Sequence, residues 1–197
     1  MSQRLAVLAS GSGSNLQTLL DARDLGAEIV LVASDRPGAG ALERAEAARV
    51  PTRCVPFSKG DDRERWAAEL AEEVGGAAPD LVVLAGFMRV LPGGFVARWP
   101  ILNVHPSLLP AFPGARAVEE ALAWGVKVTG ATVHFVDEQV DHGPIVAQEA
   151  VPVAEDDDVA SLHARIQAAE HRLLPEAVRL HGAGRLRVEG RRVRVLR

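Results

Sequence analysis

The sequence predicts a doubly wound α/β fold: a mostly parallel sheet with helices on both faces, finished by a C-terminal β-hairpin. Three observations predict it. Strand-like and helix-like patterns alternate through the first half of the chain, as βαβ units around a parallel sheet do. The run Leu81 to Ala85, after Asp80, is continuously apolar, as expected of a strand covered on both faces. The tail alternates arginine with Leu186, Val188, Val193 and Val195 around Glu189-Gly190, the pattern of a hairpin with one apolar and one solvated face.

Each element follows in order. Leu5 to Ala9 is a short apolar strand, and Leu16, Leu19 and Leu20 recur at helical spacing after a glycine–serine loop. Glu28 to Ala33 is rich in β-branched residues and predicts the second strand. Ala41 to Arg49 is a helix stopped by Val50-Pro51, because the residue before proline disfavours helical geometry. Asp61 to Val74 is a helix with Trp66 and Leu70 on one face and Gly75-Gly76 after it. Ile101 to Val104 is another strand. The following stretch, His105 to Gly114, holds three prolines in eight residues, which denies it a regular ladder and predicts a shaped loop. Ala117 to Trp124 is helical. Lys127 to Val136 and Ile145 to Val153 are strands, split by Asp137 to Pro144. Asp156-Asp157-Asp158 opens a long helix with Val159, Leu162, Ile166, Ala169 and Leu173 as its apolar stripe. Carboxylates suit a helix start, where they cap N–H groups and face the positive dipole end.

Composition narrows the function classes. The chain has 197 residues, 48% hydrophobic and 24% charged, with a net charge of -4; a mildly acidic chain gives no global reason to expect nucleic acid as partner. One cysteine, Cys54, rules out an intramolecular disulfide, fits a reducing compartment, and is expected to be a buried, inert thiol. The N-terminal apolar run is too short for a signal peptide. No window reaches the roughly 20 apolar residues of a membrane span. A cytoplasmic protein is expected.

Two constellations carry chemistry. Ser10-Gly11-Ser12-Gly13-Ser14-Asn15 lies between the first strand and the first helix. Glycines let the backbone approach a ligand closely, Ser and Asn can cap the helix, and the helix start attracts anions; a terminal phosphate is the natural guest. Leu16 stands where the dinucleotide fingerprint needs its third glycine, although Asp35 at the end of the second strand keeps that reading open. No Gly-Lys-Ser/Thr ending marks a Walker loop. The second constellation begins at Asn103-Val104-His105-Pro106. Residues two apart on a strand face the same side, so Asn103 and His105 can reach one cleft beyond a strand's carboxyl end. The polar turn Asp137-Glu138-Gln139-Val140-Asp141-His142-Gly143 offers carboxylates. One of them beside His105 would favour its protonated form, giving a donor to an oxyanion and a proton shuttle, with the Asn103 amide as second donor. Acyl transfer to an amine needs no Ser or Cys nucleophile, and no Gly-x-Ser-x-Gly elbow is present. His105, His134, His142 and Asp141 match no standard zinc spacing, so no metal is expected.

At these motifs the chain resembles the formyltetrahydrofolate-dependent formyltransferases. Asn103-Val104-His105-Pro106-Ser107-Leu108-Leu109-Pro110, Phe112-Pro113-Gly114 and Asp141-His142-Gly143-Pro144-Ile145 carry the likeness. Gly11-Ser12-Gly13-Ser14-Asn15-Leu16-Gln17 and Ala85-Gly86-Phe87-Met88-Arg89-Val90-Leu91 narrow it to the branch that formylates a phosphorylated glycinamide. The resemblance spans nearly the whole chain. It implies a Rossmann-like formyltransferase fold over a single domain, 1–197, with a phosphate-binding half (1–100), a catalytic and folate-binding half (101–183) and the hairpin (184–197). It implies transfer of a formyl group from 10-formyltetrahydrofolate, as co-substrate, to the amine of 5-phosphoribosylglycinamide in purine synthesis. It allows a homodimer and implies neither nucleic-acid nor membrane partners.

The resemblance also assigns roles. Asn103, His105 and Asp141 would be catalytic. Gly13, Ser14, Asn15, Leu16 and Gln17 would hold the substrate phosphate and ribose, and Gln167, Ala168, Ala169 and Glu170 would face the glycinamide. Arg63 would reach toward the folate, and Met88, Arg89, Val90 and Leu91 would line the pterin pocket with Asn103, Asp137, Glu138, Gln139, Val140 and Asp141. Three positions depart from the family pattern: Arg116, where many relatives carry histidine; Trp66, where tyrosine or another aromatic is common; and His142 beside Asp141. A related deformylase, with water as acceptor, is an alternative, although its members usually carry an extra N-terminal domain. A methionyl-tRNA formyltransferase would need a C-terminal tRNA-binding domain. A non-catalytic nucleotide-binding module would explain the glycine loop and the sheet, but not Asn103, His105 and Asp141.

Overall fold

The computed structural model describes residues 2–196. The chain folds as two units that meet in sequence at Leu102 and Asn103.

The first unit is a parallel α/β layer. Strands β1 (Gln3–Leu8), β2 (Ala27–Ser34), β3 (Thr52–Cys54) and β4 (Leu81–Leu84) lie in the order β3-β2-β1-β4, each pair parallel. Helices α1 (Ser14–Asp21), α2 (Gly40–Ala47) and α3 (Arg63–Gly76) connect them. All four β4 residues are buried, and Leu5, Ala6, Val7 and Leu8 of β1 are fully so. That is why these strands read as unbroken apolar runs; each large side chain contributes roughly 1.5–3 kcal/mol by leaving water.

Helix ends show where local chemistry decided. Asp62 caps α3, accepting from the N–H groups of Glu64 and Arg65 at 3.0 and 3.1 Å. The helix runs through Gly75-Gly76 instead of stopping before them. Its end is closed by Ala78, left-handed at φ 46, whose N–H donates to the Gly75 carbonyl at 2.9 Å, the place a glycine usually takes. Just beyond, the Arg4 guanidinium donates to the carbonyls of Ala78 and Ala77 at 3.0 and 2.7 Å. The single-turn helix α4 (Gly93–Val96) was not expected, because four residues carry no periodicity. Cys54 is exposed on β3, not buried; partial burial and the Asp35 charge push its pKa up, which keeps the thiol protonated.

The strand β5 (Ile101–His105) begins at the end of the first unit and continues into the second. There the strand order is β5-β6-β7-β9-β8, with β6 (Val128–Phe135), β7 (Ile145–Pro152), β8 (Leu186–Glu189) and β9 (Arg192–Val195). β6 and β7 are antiparallel, β8 and β9 form the expected hairpin, and β9 joins β7 through Ile145 and Arg192. Helix α5 (Ala117–Trp124) and the long α6 (Val159–Gly182) complete the unit. Leu162, Ile166 and Ala169 of α6 pack on Val118, Ala131 and Val151. The acidic triplet opens α6 as expected. Asp158 is its N-cap in a reciprocal box with Ser161, and Asp157 pairs with Arg165. The hairpin's apolar face is only partly covered: Val188 and Val195 are exposed, while Arg187 and Arg194 pair with Glu189 on the other face.

Candidate active site

In the first unit the glycine loop is held from three sides. Buried Ser10 donates its N–H to the Gly86 carbonyl at 3.1 Å, and its hydroxyl accepts from the Met88 N–H at 2.8 Å. The start of α2 presses on the loop: Ala41 N–H donates to the Gly11 carbonyl at 3.1 Å, and Arg44 Nε to the Ser12 carbonyl at 2.8 Å. Gly13 has φ 76, and a Cβ there would stand 2.6 Å from Ala41 Cα, so glycine is required on both conformational and steric grounds. Gly13 is also the N-cap of α1. The expected serine or asparagine cap is therefore absent, and the cap position offers no side chain to compete with an anion for the first-turn N–H groups.

The binding residues proposed from the family likeness differ in what they present here. Asn15 and Leu16 are buried, so Leu16 has only its backbone to offer a ligand. Gln17 is clamped, its carbonyl oxygen accepting from Arg44 at 2.9 Å and its amide donating to Asp21 at 2.9 Å. Arg44 was missed by sequence reasoning; the signal was a lone cation on a helix otherwise rich in alanine and glutamate.

The 86–91 segment exposes Met88 and Val90 and buries Leu91. Arg89 is locked inward. Its Nε donates to Asp35 Oδ2 at 2.6 Å and its Nη2 to the Phe57 carbonyl at 3.1 Å, with the guanidinium over the Phe57 ring. Asp35, which kept a dinucleotide reading open, is buried and occupied by Arg89. Arg63 donates to the Val90 carbonyl at 3.2 Å and also lies over Phe57. Trp66 is buried beside Phe57 and donates to the Val55 carbonyl at 2.9 Å.

In the second unit the catalytic candidates converge. Asp141 Oδ2 lies 3.4 Å from His105 Nδ1 and accepts the Gly114 N–H at 2.7 Å. Its Oδ1 is 3.4 Å from the Asn103 amide nitrogen and 3.7 Å from His134 Nε2. The Asn103 amide also donates to His134 Nε2 at 3.1 Å. Because His134 Nδ1 donates to the Phe135 carbonyl at 2.7 Å, its Nε2 is free to be that acceptor in the neutral ring. His105 Nε2–H donates to the Phe112 carbonyl at 2.8 Å.

The electrostatics differ from expectation at His105. Burial lowers its pKa; the Asp141 charge and the Phe112 hydrogen bond oppose this, and burial wins. Asp141 therefore acts in the expected direction, yet the resting ring is neutral at pH 7. The Asp141 pKa is itself lowered. Burial works to raise it, and the neighbouring His134 and His105 rings with the Gly114 N–H outweigh that. A carboxylate held ionised beside a neutral imidazole suits a site that takes up a proton transiently.

Behind this set, Thr132 organises the proline loop. Its buried hydroxyl donates to the Ser107 carbonyl at 2.7 Å and accepts from the Leu109 N–H at 3.1 Å and the Gln148 amide at 2.9 Å. His134 and Thr132 lie two apart on β6 and were legible as one face of a strand, but not as supports of the loop opposite. On α6, Glu170 and Ala169 are buried, Gln167 half-buried and Ala168 exposed. Glu138, Gln139 and Val140 are exposed, and Asp137 accepts the Gln139 N–H at 2.9 Å. Among the described residues no group of three or more His, Cys, Asp or Glu side chains is placed to hold a metal ion. No described helix is long and apolar enough to cross a membrane.

Known proteins resemble the chain along nearly its whole length. A phosphoribosylglycinamide formyltransferase of Mycobacterium tuberculosis (strain ATCC 25618 / H37Rv) is 48% identical over 98% of this chain and 94% of its own length. The human protein named trifunctional purine biosynthetic protein adenosine-3 is 46% identical over 92% of the chain. The chain spans about a fifth of the length of such trifunctional relatives, 18% of the human one and 19% of the Bos taurus one. A crystal structure of glycinamide ribonucleotide transformylase 1 from Symbiobacterium toebii superposes with a TM-score of 0.95 at 50% identity, covering 99% of this chain and 94% of that one. The family model described as formyl transferase matches residues 3–178, and the chain belongs to that family.

Proposed function

We propose that the chain transfers the formyl group of 10-formyltetrahydrofolate to the amine of 5-phosphoribosylglycinamide, a step of purine synthesis. The observation that carries this reading is the set Asn103, His105, His134 and Asp141, with Asp141 addressed by the other three. The names of the relatives supply the substrates. A cytoplasmic setting belongs to the same reading, supported by the single cysteine.

The ribonucleotide phosphate docks on the glycine loop, at Gly13, Ser14, Asn15 and the backbone of Leu16, with Gln17 toward the ribose. Gln167, Ala168, Ala169 and Glu170 face the glycinamide. The family likeness assigns folate contacts in each unit by itself: in the first, the exposed apolar Met88 and Val90 with Arg63, Arg89 and Leu91; in the second, Asp137, Glu138, Gln139, Val140 and Asp141. The amine lone pair attacks the formyl carbon. The developing oxyanion competes with the Phe112 carbonyl for His105 Nε2–H, and with His134 and Asp141 for the Asn103 amide. Redirecting donors already in place stabilises the tetrahedral state without recruiting water. The amine loses one proton and folate N10 gains one; the ionised Asp141 carboxylate and water relay it, while His105 keeps its Nε2–H on the oxyanion. No metal is required by these steps.

The test is tetrahydrofolate release from 10-formyltetrahydrofolate with and without glycinamide ribonucleotide. Release that depends on the ribonucleotide, matched by formylated product, is expected. Release without it would replace transfer by hydrolysis, and no release would end the reading.

A further inference from the structure

A second polar cluster lies one residue along from Asp141, and two of its three members, His142 and Arg191, have no part in the steps above. His142 Nδ1 is 2.8 Å from Asp137 Oδ2. Arg191 follows Gly190 in the turn between β8 and β9, and places Nη1 3.0 Å from His142 Nε2 and Nη2 2.7 Å from the His142 carbonyl. Nη1 is also 3.3 Å from His142 Nδ1, so the guanidinium lies against the face of the ring while Nη2 holds the backbone carbonyl, and the ring edge meets the Asp137 carboxylate.

The geometry points to Arg191 as a positioning residue for formyl transfer: it acts through His142 and Asp137 to hold the 137–142 loop, and with it Asp141, in place against His105. The inference rests on the reading that Asp141 serves that transfer. Three observations carry it. Asp141 has φ 51, a left-handed conformation uncommon for a side-chain-bearing residue, though aspartate adopts it more readily than most, and it fixes the direction of the carboxylate. Glu138, Gln139 and Val140 are exposed, so side-chain burial does not hold the loop between Asp137 and Asp141. The loop's far end is fixed at Gly143, where a Cβ would fall 1.8 Å from the Phe135 carbonyl. Just beyond, Ile145 pairs with Arg192, which sets the hairpin turn beside His142. The guanidinium covers the ring and bonds the carbonyl of one residue, a planar two-point grip that an ammonium does not reproduce. The hairpin, otherwise a partly covered appendage, thereby gains a task.

The test uses the full chain with Arg191→Ala, Arg191→Lys, His142→Ala and the Arg191→Ala/His142→Ala pair. Arg194→Ala, at an arginine bonded to Glu189 on the same hairpin, is the control. Arg191→Ala and His142→Ala are each expected to lower kcat about 3- to 10-fold with ribonucleotide KM within twofold, and the double variant to be no slower than the worse single. Arg191→Lys recovers only part. Amide exchange at residues 138–142 is expected to quicken at least about fivefold in Arg191→Ala and not in Arg194→Ala. Unchanged exchange overturns the latch, and faster exchange with unchanged kcat overturns its role in positioning. If the wild-type chain transfers no formyl group, the functional reading fails on its own assay, while the exchange measurement still decides the latch.

Discussion

The glycine loop and the Asn103–His105–Asp141 set solve opposite problems. The loop of the first unit is a backbone site. Its key position, Gly13, works by lacking a side chain, and Ala41, Arg44, Gly86 and Met88 hold the loop from outside. The set of the second unit is a side-chain site, in which amide, imidazole and carboxylate groups are already bonded to one another and to the carbonyls of Phe112 and Phe135. The first is built to receive a fixed negative charge. The second is built to exchange hydrogen-bond partners as charge develops. The lesson is that anchoring tolerates changes around the ligand, whereas chemistry depends on a particular proton at a particular atom.

The sharpest way to break the comparison is to remove a catalytic group. Asn103→Ala and Asp141→Asn are each expected to cut kcat by about 10²–10⁴-fold with ribonucleotide affinity little changed; initial rates and calorimetric Kd values check both. Near-normal turnover in both would make the side-chain set structural. Gly13→Ala should act on the other side. With φ 76 and 2.6 Å to Ala41 Cα, it is expected to raise ribonucleotide KM by about tenfold and to cost about 1–3 kcal/mol of stability, read as a lower Tm. A normal KM would detach the loop from phosphate binding.

Smaller effects sharpen the picture. Thr132→Val strands the Leu109 N–H, the Ser107 carbonyl and the Gln148 amide, and should cost about 1–3 kcal/mol, measured by denaturant unfolding. Arg44→Ala removes one bond to the loop and one to Gln17 on α1, and should raise ribonucleotide KM a few-fold at constant kcat. Stability should also respond to acid. The lowered His105 pKa means that the unfolded chain takes up this proton first as pH falls below 6.5, so folded stability declines from there downward. Asp141, lowered from 3.8, adds a loss of the same sign below that pH. A His105→Gln variant should lose less Tm than wild type between pH 7.5 and 5; equal losses would mean that the His105 pKa is unshifted.

Much of this was legible in the sequence, for identifiable reasons. β4 and β1 declared themselves because strands buried on both faces must be apolar throughout. The glycine loop was legible because the backbone conformation demands glycine. The i, i+2 spacing of Asn103 and His105 predicted a shared face on β5. The net direction of the His105 shift was not legible: spacing announces a carboxylate partner, but not how deeply the ring is buried. Nor was His134, whose role depends on which ring nitrogen the Phe135 carbonyl occupies. Arg4 at the end of α3 and Arg191 at His142 escaped for a common reason. Both act across more than 45 residues of sequence, where local pattern carries no information.

The central claim is that His105 serves the chemistry and not the anchoring of substrate. Single-turnover formyl transfer by His105→Ala, measured beside its Kd for glycinamide ribonucleotide, tests it most directly. The account predicts a rate about 10²–10⁴-fold below wild type with a Kd within about twofold. A rate close to wild type, or a lost rate explained by an equally lost affinity, would contradict it.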